Sequence, residues 1–92
     1  MLFKTGQVLQ TRGLHSLIGD NPKRHNEVVT AFNQYISGNW GNTSPADAEM
    51  NNEAVKTGND RIVAKYKLSF ADIFIITEHD RSYTTILLCN EY

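Results

Sequence analysis

One cysteine, two prolines and no long apolar run exclude several kinds of protein from this sequence of 92 residues. Cys89 has no partner for an internal disulfide, and one thiol is no metal framework, which points to a reducing compartment. Nothing approaches the length of a membrane span, and the opening Met1-Leu2-Phe3-Lys4-Thr5-Gly6 holds no apolar run of signal-peptide length, so a cytoplasmic location without a membrane partner is expected. Excess charge is absent too: nine basic against ten acidic residues leave a net charge of −1. Such a chain cannot release many counterions along a nucleic-acid backbone, so direct nucleic-acid binding is not expected. Glycines 6, 13, 19, 38, 41 and 58 form no phosphate-cradling cluster, and His15, His25 and His79 share no helical i, i+3 or i, i+4 spacing. We therefore expect neither a nucleotide nor a metal, and no cofactor.

What is present, 40% apolar and 21% charged residues, suits a single domain over residues 1–92. Val8-Leu9-Gln10-Thr11, between two glycines, reads as a short strand. Leu14, Leu17 and Ile18 have helical spacing, and Asn21-Pro22 forms an N-cap and N1 pair for a second helix. There Val28, Val29, Phe32, Tyr35 and Ile36 make one apolar stripe, which Gly38 ends. Ser44-Pro45, with Asp47 at N3, opens a third helix closed by Gly58. Its apolar residues, Ala48, Met50, Ala54 and Val55, are sparse, which predicts a surface helix showing Asn51, Asn52, Glu53 and Lys56 to water or a partner.

From Arg61 the period becomes two. Ile62, Ala64, Tyr66 and Leu68 alternate with Val63, Lys65 and Lys67, so this strand has one wet side. Residues 73–77 are apolar on both faces, as in a central strand covered on one side and partly shielded on the other, and residues 83–88 complete a meander. The expected fold is α+β: an N-terminal short strand, two to three helices, then a three-stranded antiparallel meander packed on the helices.

The turn Glu78-His79-Asp80-Arg81-Ser82 gathers an acid, a base, a cation and a hydroxyl. Adjacent strand residues point to opposite faces and turn residues splay, which favours a solvated turn, with Asp80 accepting backbone N–H groups and Arg81 pairing with Glu78. Trp40, in the glycine-flanked loop 38–43, either plugs the end of a small core or anchors an interface. Cys89, ending an apolar strand, reads as inert.

Gly38-Asn39-Trp40-Gly41-Asn42, Ile75-Ile76-Thr77-Glu78, Asp80-Arg81-Ser82, Thr84-Thr85-Ile86-Leu87 and Glu91-Tyr92 together resemble a family of short plasmid-, phage- and integrative-element proteins. Its members carry Gly-Asp-Trp-Gly-Asp centrally and close on Ile-Ile-Thr-Glu-x-Asp-Arg-Ser-x-Thr-Thr-Ile-Leu. Here Asn39 and Asn42 replace the acids, Phe74 a Trp, and Cys89 stands near a Pro. Some relatives are labelled as restriction-modification subunits, but this chain has neither the length nor the glycine-rich loop of a methyltransferase.

The resemblance implies a mobile-element accessory protein in the cytoplasm of a host bacterial cell. It would be a non-catalytic binding protein that inhibits a defence system, CRISPR or restriction, by docking on an effector protein. The expected contacts are Trp40, Glu78, Asp80 and Arg81, with Glu78 and Asp80 imitating phosphates toward a basic groove. The alternatives are a small hydrolase or nuclease using His79 and Asp80, with His15, or a regulatory homodimer paired through an exposed sheet edge.

Overall fold

Local capping sets the helix boundaries. In the computed structural model, which describes residues 1–92, the chain forms β1 (Gln7–Gln10), α1 (Arg12–Ile18), α2 (Pro22–Ile36), α3 (Pro45–Thr57), β2 (Ile62–Lys67), β3 (Asp72–Thr77), β4 (Tyr83–Leu88) and a closing 3-10 turn over Cys89–Glu91. The N-cap side chains of Asn21 and Ser44 each accept a backbone N–H three residues on, at 3.2 Å, ahead of a proline whose missing N–H costs nothing there. α3 ends at Gly58 in the left-handed conformation, φ 74°.

The fold is α+β, with three helices and a four-stranded mixed sheet in the order β1-β4-β3-β2. The antiparallel meander β2-β3-β4 is there, but it is not the whole sheet: β1 pairs parallel with β4, Val8 opposite Thr84 and Leu9 opposite Thr85. β1 and β4 lie about as far apart in sequence as the chain allows, so periodicity could not reveal that pairing. No helix is long and apolar enough to cross a membrane.

All three helices contribute to one core. Leu14 and Ile18 of α1, Val28, Ala31 and Tyr35 of α2, and Ala54 of α3 pack against Ile62, Ala64, Ile73, Ile75 and Ile86 on one sheet face. Val29, expected on the α2 stripe, is exposed, because its neighbour Val28 takes the inward direction. Ile76 and Leu87 are buried as well, yet they lie outside that core. Strand alternation puts them on the opposite face, which no helix lies across, although Asp47 and Met50 of α3 reach its β2 edge beside Val63 and Phe74. This agrees with the half-shielded central strand that the sequence predicts.

α3 departs from its expected role. Asn51 is not turned to water but is 4% exposed, while Met50 is 68% exposed. The Asn51 amide donates to Val63 O at 2.9 Å and accepts from Val63 N at 3.1 Å, completing the outer edge of β2 as a neighbouring strand would. Thr43 Oγ1 accepts Lys65 N, Asn42 N donates to Lys65 O, and Asn42 Oδ1 accepts Lys67 N, all between 2.8 and 2.9 Å. The polar loop and the Asn-rich helix therefore close one sheet edge against other strands.

Candidate functional site

The turn between β3 and β4 concentrates the reactive side chains. Asp80 Oδ1 accepts both Ser82 N at 3.0 Å and Ser82 Oγ at 2.6 Å, an Asx turn that fixes the reversal. Those hydrogen bonds from Ser82 hold the Asp80 carboxyl below its ordinary range. Glu78 does not pair with Arg81: its carboxylate lies 3.8 Å from Arg61. Arg81 is drawn elsewhere.

Arg81 is the only non-glycine residue with positive φ, 60°. That conformation turns its guanidinium inward across the end of α3. One nitrogen donates to Asp60 O at 2.7 Å, Glu78 O at 3.1 Å and His79 O at 3.3 Å, and another to Ala54 O at 3.0 Å. Ala54 is in the last turn of α3, whose carbonyls carry the negative end of the helix dipole. Arg81 thus ties the hairpin to α3, and its charge is spent inside the molecule.

Trp40 is likewise turned inward. It is 6% exposed, with Phe3 at 6.2 Å and Tyr35 at 5.7 Å between ring centroids, and its indole N–H donates to Asn52 Oδ1 at 2.8 Å. Of the four expected contact residues, Glu78 and Asp80 remain near the surface, while Trp40 and Arg81 hold the fold. His79 is exposed within the turn. His15 lies on α1 with its Nδ1 3.4 Å from Gln10 Nε2, and Asp80 is engaged with Ser82 rather than with either imidazole. No three His, Cys, Asp or Glu side chains come together.

Other polar residues of the closing signature are accounted for in the same way. Thr84 Oγ1 donates to Thr5 O at 2.7 Å, which leaves it only to accept from Thr77, 2.7 Å away. Thr77 is then left to accept, also at 2.7 Å, from Tyr35 Oη, whose one proton is shared with Ile62 O at 3.2 Å, so carbonyls at the two ends orient a buried chain of three hydroxyls. Burial pushes the Tyr35 hydroxyl far above its ordinary pKa, so it stays a donor. Glu91 accepts Thr11 Oγ1 at 2.6 Å and Leu88 N at 2.9 Å, fastening the chain end to the start of α1. Gly13 makes that approach possible, because a Cβ there would collide with the Glu91 carboxylate. Burial raises the Cys89 thiol pKa, which suits an inert residue.

Glu91 is held below the ordinary carboxylate range chiefly by the Thr11 hydroxyl, and Glu27 by Ser69, which gives both its N–H and its hydroxyl. Carboxylates with depressed folded-state pKa values stabilise fully above their unfolded values and lose that contribution as pH falls through the folded ones. We expect stability to be flat from neutral to mildly acidic pH and to drop steeply below the ordinary carboxylate range. Glu91→Gln is expected to be less stable at neutral pH and to show a shallower drop, checked by denaturant titration between pH 7 and pH about 3. An unchanged acid slope would remove Glu91 from this account.

Two surface features are not consumed by the fold. A groove of about 820 Å³ between α2 and the loop after it is lined by Asn26, Thr30 and Gln34 on one wall and Asn39, Asn42 and Lys67 on the other. Asn39 and Asn42 each spend a carbonyl oxygen on a backbone N–H, that of Gly41 or Lys67, a task an aspartate performs equally well. The second feature is the helix-free sheet face. Its centre is Ile76, Leu87, Val63 and Phe74; Leu9 and Tyr83 are each 40% exposed, and Tyr92 packs edge-on against Phe74 at 5.1 Å. The Arg61–Glu78 and Lys65–Asp72 pairs lie at its rim. Ile76 and Leu87 are themselves buried, so what this face exposes is Leu9, Tyr83 and Tyr92 with the partly exposed Val63 and Phe74, an apolar and aromatic patch inside a paired, charged rim. The sequence showed that β3 is apolar on both faces; it could not show that α1 and α2 would pack on the other face and α3 against the edge of β2.

No family model, curated protein or solved structure matches this chain.

Proposed function

We propose that this chain is a non-catalytic binding protein, an accessory factor of mobile genetic elements that inhibits a bacterial defence system, CRISPR or restriction, by docking on an effector protein. The observation that carries the binding reading is the sheet face that no helix lies across, where Phe74 is partly exposed and Tyr83 is 40% exposed around the buried Ile76 and Leu87, with Glu78 and Asp80 at the adjoining turn. The partner that fits is a protein surface with an apolar patch beside a basic rim, the kind of rim that binds nucleic-acid phosphates in a defence nuclease. The sequence resemblance to mobile-element proteins supplies the biological class. The commitment of Asp80, Arg81 and Glu78 to intramolecular partners weighs against the hydrolase reading.

The test is a plasmid-transformation and phage-plaquing assay in hosts with intact CRISPR or restriction systems, with and without the gene. We expect one system to lose efficiency. Phe74→Glu and Tyr83→Glu should abolish the effect while the purified proteins stay folded, because each places a charge within the exposed apolar patch. Asp80→Asn keeps the acceptor for Ser82 and removes only the charge, so it should weaken binding about tenfold. No change in any defence system, or full inhibition by the Phe74 and Tyr83 variants, refutes the proposal.

A further inference from the structure

The two edges of the sheet are treated in opposite ways. On β2 the outward N–H and C=O groups of Val63 and Lys65 are met by Asn51, Thr43 and Asn42. On β1, Gln7 N donates to Ser82 O and Thr11 N to Ile86 O, so the odd-numbered residues face β4. Alternation turns the N–H and C=O of Val8 and Gln10 outward, where no side chain meets them. All four residues of β1 are exposed, and none carries a charge, a proline or a bulge of the sort that protects an edge.

The segment Gln7-Val8-Leu9-Gln10 is also self-complementary. A dyad passing beside Leu9 sets Val8 of one copy opposite Gln10 of the other, and Gln10 opposite Val8. Both are outward-facing residues, so each pair exchanges two ladder hydrogen bonds, about four in all. Leu9 then meets Leu9 of the second copy at the closer, non-hydrogen-bonded position, on the helix-free face. There 40% of its surface is otherwise left in water. No charge opposes its own copy within the paired strands.

We propose that the chain forms a twofold dimer through antiparallel β1–β1 pairing, making one continuous eight-stranded sheet. The partner is a second copy of this chain. Because each strand contributes only four residues, the contact lies at the small end of stable interfaces, and the dimer dissociates on dilution. The dimer joins two copies of the helix-free face side by side, but it does not depend on what that face binds.

Sedimentation of the full chain over a wide concentration range, with amide hydrogen exchange, tests it. We expect the mass to rise from monomer to dimer with concentration, and the Val8 and Gln10 amides to gain protection only in the dimer. Leu9→Lys places like charges opposite each other and should weaken association at least about tenfold, whereas Val29→Lys on α2 should not. A monomer at every concentration, a dimer whose Val8 and Gln10 amides stay unprotected, or equal loss in both variants overturns the proposal.

Discussion

Replacing Trp40 with alanine is expected to lower the stability of this protein by about 4 kcal/mol, a loss on the scale of its whole folding free energy. The indole fills the space between Phe3, near the start of the chain, and Tyr35 on α2, and its N–H is the only polar atom it brings into the core. Truncation removes the largest side chain in the cluster and leaves a cavity that Phe3 and Tyr35, fixed by neighbours of their own, cannot fill. It also strips Asn52 of its donor. For a domain of this size the melting temperature should fall by roughly 15–25 °C, read by calorimetry or circular dichroism. Trp40→Phe should retain most of the packing and lose about 1–2 kcal/mol, mainly the hydrogen bond and part of the buried area. A Trp40→Ala protein that melts normally yet no longer binds a partner would restore Trp40 to the docking surface.

Arg81→Ala is expected to cost about 2–3 kcal/mol, through a different physical route. Four backbone carbonyls, of Ala54, Asp60, Glu78 and His79, lose a charged donor together. Water can replace part of that loss because the side chain is only half-buried. The positive φ at residue 81 separates the contributions of side chain and backbone. Arg81→Gly removes the same donors but adopts that conformation without strain, so it should be about 1 kcal/mol more stable than Arg81→Ala. Arg81→Lys should fall short of the native protein, since one ammonium cannot fork between the α3 carbonyl and those of the turn. Equal stabilities for the alanine and glycine variants would mean the turn relaxes to another conformation once the guanidinium is gone.

These two residues explain why a turn and a loop that look functional in sequence are structural in space. Arg81 lies between an acid and a hydroxyl, and Glu78 was its natural partner at short range. The folded chain offers it the Ala54 carbonyl at the end of α3, with those of Asp60, Glu78 and His79, and Glu78 takes Arg61. Asn51 resembles any other polar residue on a sparse helix, but its amide has the donor and acceptor spacing of a peptide group and completes the edge of β2. The resembling signature is legible because its residues are clustered at the chain end. That its threonines, Arg81 and Glu91 are fold determinants is not, since their partners lie as far off as Thr5 and Thr11.

The sequence by itself determined what acts over a few residues: the N-caps Asn21 and Ser44 with their prolines, the glycine stop of α3, the switch to period two at Ile62, and the double-faced apolar strand β3. Each depends on steric preference, on a hydrogen bond spanning three or four positions, or on the period of neighbouring apolar residues, and so can be read from a short stretch of chain. Tertiary structure alone decided that β1 joins β4, that the helices build one core on one sheet face while α3 also closes the β2 edge, that the β1 edge is left bare, and that Trp40 and Arg81 turn inward. Those outcomes come from competition among distant groups for the same buried volume and the same unpaired carbonyls. No local pattern encodes the result of that competition.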